Sequence, residues 1–75
     1  MDAGDVVELA GLWFKAFEAT DGDESSSCVT VEGDYIEVKY RYENRAASRG
    51  LAVSDDISRD DVERACSEAR RAAKT

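Results

Sequence analysis

Apolar positions first recur at helical spacing. Across residues 5–20, Val6, Leu9, Ala10, Trp13, Ala16 and Phe17 follow one another at intervals of three and four, which predicts an amphipathic helix. Asp5 and Glu8 have the spacing of an N-cap and its reciprocal partner, and Gly22 suits the left-handed residue that ends a helix. At 100° per residue the apolar positions fill an arc of about 220°, from Leu12 round to Val7, whereas a helix lying on one sheet needs a stripe nearer 100°. Phe14 and Val7 sit at one margin of that arc. They are therefore expected at the edge of the core, buried by a partner or a second copy, while Trp13, Phe17 and Leu9 fill the core.

The period then changes to two. Residues 27–42 read as a β-hairpin around Gly33-Asp34, a two-residue type II′ turn with glycine in its first position. That turn pairs Glu32 with Tyr35, Val31 with Ile36, Thr30 with Glu37, Val29 with Val38 and Cys28 with Lys39. It places Val29, Val31, Ile36, Val38 and Tyr40 on one face, and a slip of one residue would destroy the separation. Residues 43–50 read as an irregular turn and Leu51-Ala52-Val53 as a short third strand. Residues 59–73 read as a second helix. Ser58 is its N-cap, Asp61 its capping-box partner, and Ile57 and Val62 form a hydrophobic staple. Its inner stripe, Val62, Ala65, Cys66, Ala69 and Ala73, is of small side chains. The fold class predicted is α+β, a single domain over residues 1–75 in the order α-β-β-(β)-α, with both helices on one face of a small antiparallel sheet.

A chain of 75 residues has a thin core and often needs a staple. Two cysteines and no histidine make a metal site improbable, and no metal or cofactor is expected. Cys28 is predicted on the outer face of the hairpin and Cys66 on the inner face of the second helix, so no disulfide is expected. With no membrane-length apolar run and an acidic start, the chain reads as cytoplasmic, with no membrane partner. A protein partner, including a second copy in a homodimer, remains as the staple.

Charge is uneven. Residues 1–37 hold ten acids and only Lys15, a net of −9, while residues 38–75 carry a net of +2, giving −7 for the whole. Asp21, Asp23, Glu24, Glu32 and Asp34 are the candidate partner-binding acids, together with Phe14 and Val7 on the first helix. An acidic surface repels phosphate and steers a partner with a basic surface. The alternative source of the acidity is adaptation to a salt-loving or GC-rich host, which the nine Asp, eleven Ala and an excess of Arg over Lys would also fit.

Motifs with chemistry are few. Asp21, Asp23, Ser25 and Glu32 match positions 1, 3, 5 and 12 of a calcium loop, but Ser26 stands where the turn needs glycine and a strand follows instead of a helix. Asp55-Asp56 and Asp60-Asp61 are adjacent doublets, which do not face each other as an acid/base pair would. No serine or cysteine has a histidine to activate it, and no glycine-rich phosphate loop exists. An enzyme is not expected. Lys39, Arg41, Arg45 and Arg49 interleave with Tyr40 and Tyr42, and the α-β-β-β-α order is similar to that of double-stranded RNA-binding domains. Those domains carry a basic cluster at the start of the last helix, where this chain has Ser58-Arg-Asp-Asp-Val-Glu63, so direct nucleic-acid binding is not expected. In size, acidity and lack of catalytic apparatus the chain resembles small phage-encoded inhibitors of bacterial defence. The functional expectation is a non-catalytic protein-binding module, either an acidic mimic of nucleic acid that fills a basic groove or a small subunit or homodimer docking through the first helix.

Overall fold

A computed structural model describes residues 1–75. The first helix, α1 (Ala3–Asp21), starts a turn earlier than the cap at Asp5 would allow. Asp2 is the N-cap, its carboxylate accepting from the Asp5 backbone N–H at 2.8 Å. The earlier start packs Met1 and Ala3 against the core and leaves Asp5 in the first turn, where the helix dipole favours it. A single 3₁₀ turn, Gly22–Glu24, leads into β1 (Ser25–Glu32), which begins at Ser25, two residues before the hairpin start expected at residue 27.

Strands β1 and β2 (Tyr35–Tyr42) pair antiparallel in the expected register, Val29 opposite Val38 and Val31 opposite Ile36. Gly33 has φ 59° and Asp34 a negative φ, which is the type II′ arrangement. The expectation of an irregular segment over 43–50 is overturned. A full third strand, β3 (Arg45–Ala52), pairs along the whole of β2, from Tyr42 opposite Arg45 to Tyr35 opposite Ala52. Its turn is Glu43-Asn44, with Glu43 at φ 57° and no glycine to mark it. On the helix-facing side of β3 stand Arg49 and two small or medium apolar residues, Ala47 and Leu51, so the strand lacks a clean alternation of apolar and polar positions.

The closing helix α2 (Arg59–Ala73) has the predicted capping box between Ser58 and Asp61. The sheet order is β1-β2-β3, and both helices cover one face of it. They run parallel to each other: Met1 and Asp5 lie beside Arg59 at one end, and Asp21 meets Arg70 and Lys74 at the other. The buried residues are Val6, Ala10 and Phe14 of α1, Ile36, Val38 and Tyr40 of β2, and the five-residue small stripe of α2. Neither β1 nor β3 contributes one. On the open face of the sheet the Tyr35 ring lies across Gly50, where any side chain on residue 50 would collide with it.

Candidate functional site

The predicted site residues separate on folding. Asp21 is not a surface acid: its side chain is 3% exposed. Its carboxylate accepts from Arg70 at 2.8 and 3.0 Å, from Lys74 at 3.0 Å and from the Tyr40 hydroxyl at 2.5 Å. Arg70 above all holds its carboxyl far below the usual carboxylate range. Burial, then the Asp21 carboxylate, pushes the Tyr40 hydroxyl up from 10.0, and Asp21 raises Arg70. Asp21 thus ties the C-terminal ends of α1 and α2 to the central strand. A carboxylate at a helix C-terminus is unfavourable on its own, and the two cations offset that. Arg70 also stacks on Phe17, 4.7 Å from the ring centroid, and Lys74 on Tyr42 at 5.0 Å.

Phe14 is also corrected. It is 1% exposed, 5.6 Å from the Tyr40 ring and 6.3 Å from Phe17. The parallel arrangement of the helices turns the Phe14 side of α1 down onto the sheet, so it anchors the core and is enclosed by its own chain. Trp13 and Leu9, expected in the core, are only half-buried, and the indole N–H of Trp13 is enclosed without a hydrogen-bond partner. Val7 is half-buried at the margin of α1 above β1. Asp23 and Glu24 are exposed in the 3₁₀ turn. Glu32 and Asp34 are exposed at the opposite end of β1, about 26 Å away at about 3.3 Å per residue. One continuous acidic face is therefore not formed. The calcium-loop spacing fails for the same reasons: Asp21 is committed to cations, and Glu32 lies a strand's length away.

The basic and aromatic run divides between faces. Lys39 and Arg41 lie on the open face, Arg45 and Arg49 belong to the helix-facing side of β3, and Tyr40 is core. Cys28 is free and exposed on the open face. Cys66 is buried, its thiol pushed up to about 12 by that burial.

What the fold leaves unsatisfied is at the two edges of the sheet. In a two-residue hairpin the closing residues exchange both hydrogen bonds, and the pattern alternates from there. Glu32 and Tyr35 close the first hairpin, so the N–H and C=O groups of Ser27, Val29 and Val31 point away from β2 and no other strand receives them. Tyr42 and Arg45 close the second, so Ala46, Ser48 and Gly50 point outwards from β3. At β3 the edge is guarded. The Arg49 guanidinium donates to the outward Ser48 carbonyl at 2.7 Å and lies 3.4 Å from Glu68 of α2. At β1 no side chain bonds an outward main-chain group: Arg41 stops at the Ser26 hydroxyl and Glu18 at the Ser27 hydroxyl, residues 25–31, SSSCVTV, carry no charge, no proline and no glycine, and Val31 is 47% exposed. Natural sheets blunt such edges with charge, proline or bulges.

Two other surfaces are weaker candidates. A groove of about 380 Å³ between β3 and α2 is lined by charges, among which Arg49 meets Glu68 and Arg64 meets Asp61 at 3.7 Å. Leu12, 61% exposed, lies with Met1 and Leu9 near Arg59. A single exposed leucine is ordinary on a protein surface. Comparison of the chain with protein-family models, with curated proteins and with solved structures finds no match.

Proposed function

We propose that this protein is a non-catalytic binding module that accepts a β-strand of another polypeptide along the open edge of β1. The observation that carries the reading is the contrast between the uncharged run 25–31 of β1, whose Ser27, Val29 and Val31 main-chain groups point outwards, and the Arg49-capped edge of β3. Strand addition supplies affinity through main-chain hydrogen bonds and needs no catalytic group. A free, exposed Cys28 fits a reducing, cytoplasmic setting. The test uses two proline variants. Val31→Pro removes an outward N–H without touching the β1–β2 ladder, and Ser48→Pro does the same on β3. Both should keep the circular dichroism and melting behaviour of the parent. Loss of bound protein from host extract with Val31→Pro alone supports the reading, and equal retention by both variants overturns it.

A second reading rests on where the exposed acids gather. Glu32, Asp34, Asp55, Asp56 and Asp60 all lie at the end of the sheet that carries the Gly33 turn and the α2 N-terminus. A mimic of nucleic acid would present that end to a basic groove. Its binding would fall steeply with added salt and would be lost in a Glu32→Lys, Asp34→Lys double variant. Strand addition, made of neutral main-chain bonds, would not.

A further inference from the structure

We infer that the strand accepted by β1 is β1 of a second copy, paired antiparallel about a two-fold axis at Val29, so that two three-stranded sheets become one of six strands. The inference rests on the reading of β1 as the docking edge and names its occupant. Only outward residues can exchange hydrogen bonds, which restricts the registers. With Val29 on the axis, Ser27 exchanges bonds with Val31 of the second copy, Cys28 stands opposite Thr30, and Ser26 opposite Glu32. The Arg41 side chain already reaches the edge at this point, its Nε donating to the Ser26 hydroxyl at 3.1 Å. Glu32 of the second copy would therefore meet a guanidinium, twice by symmetry. Moving the axis to Cys28 sets Glu32 against Glu24 of the other copy, a like-charge contact. Moving it to Thr30 shortens the overlap.

Helix α1 supplies independent support. Gly4, Gly11 and Glu18 are seven residues apart and so lie in one line along the helix. Glu18 accepts from the Ser27 hydroxyl at 3.0 Å, which places that line above β1. Glycine weakens a helix interior, yet nothing in the chain lies within 4 Å of where a side chain on residue 11 would begin. The space is open for a neighbour across the β1 edge. A two-fold axis there sets the α1 helices antiparallel, and Glu8 and Lys15, on either side of Gly11, then face Lys15 and Glu8 of the other copy. The surface is complementary to itself in hydrogen bonding, shape and charge, which is what an isologous dimer requires.

Sedimentation of the purified protein over a concentration series tests the pairing. A dimer is expected, its fraction rising with protein concentration. Val31→Pro should weaken it about tenfold or more, since two main-chain hydrogen bonds are lost per dimer, and Ser48→Pro should leave it unchanged. The register is tested with Thr30→Cys. Its new thiol would stand opposite Cys28 of the second copy in a non-hydrogen-bonded pair, with Cα atoms about 4.5 Å apart, within disulfide reach. Diamide, which takes up the two thiol hydrogens, should give a covalent dimer at least tenfold faster than in the parent, linked between positions 28 and 30 by peptide mass. A monomer at every concentration overturns the inference. If Val31→Pro still abolishes capture from extract, the docking edge survives and only its occupant was wrong. Parent protein that oxidises as fast through Cys28–Cys28 linkage overturns the Val29 axis.

Discussion

Strands β1 and β3 are both eight residues long, both pair along the full length of β2, and neither buries a residue completely. Hydrophobic burial therefore does not distinguish them. The difference lies at their outward main chain. On β3 an arginine, held between Glu68 and the Ser48 carbonyl, occupies the edge. On β1 the long side chains are absent before Glu32 at its end, and the one cation that approaches, Arg41, crosses from β2 on the open face and stops at Ser26. An open edge persists in a monomer only if something manages it. That β3 is managed and β1 is not is the contrast on which the proposal of β1 as a docking edge rests.

The comparison requires α1 to stay docked over β1, so removing its anchor gives the largest effect. Phe14→Ala should cost about 3–5 kcal/mol, a large share of the roughly 4–11 kcal/mol expected of a domain this size. Thermal melts should show a fold lost or barely retained. A variant that melts like the parent would return Phe14 to a surface position and with it the docking role that its place in the sequence suggested.

Next in size is Asp21. Its pair is enclosed on the carboxylate side, but Arg70 and Lys74 reach solvent. Asp21→Ala should therefore cost about 2–3 kcal/mol, below the 3–5 kcal/mol of a wholly buried pair. The pH dependence follows. The carboxyl is held below its ordinary 3.8, so its contribution is present above that value and is lost as pH falls beneath it. The Tyr40 hydroxyl is raised above 10.0, so its contribution is complete below that value and fades as pH climbs past it. Melting temperature measured from pH 2 to 6 should drop at the acid end in the parent and drop less in Asp21→Ala. An equal acid drop would place the sensitive carboxylate elsewhere.

How much of this was legible depended on whether local chemistry announced it. The register of the first hairpin was, to the residue, because Gly33-Asp34 demands one turn type and the alternation on either side permits one register, although β1 begins two residues earlier than expected. The capping box of α2 was legible for the same kind of reason. The second hairpin was not: its left-handed turn residue is Glu43, and the helix-facing side of β3 includes Arg49, a residue whose work is at the edge. Asp21 looked like one acid among several, because the cations that bury it come from a helix 49 and 53 positions further on. For Phe14 the width of the apolar arc was visible, but which margin faced the sheet depended on how α1 rests against α2.

The smallest effect on stability belongs to the guard itself. Arg49 and Glu68 are 41% and 44% exposed, and pairs of that kind contribute about 0–1 kcal/mol. Arg49→Ala should hardly move the melting temperature. Its consequence should be in assembly. With β1 engaged and β3 uncovered, each dimer would offer two further edges, at opposite ends of the six-stranded sheet, and contacts between them would not close. Sedimentation of Arg49→Ala should show species larger than a dimer that grow with concentration. Arg49→Lys, which keeps a charge at the edge, should behave like the parent. If Arg49→Ala remains dimeric at every concentration, β3 is protected by something other than its arginine, and the contrast between the two edges needs a different physical cause.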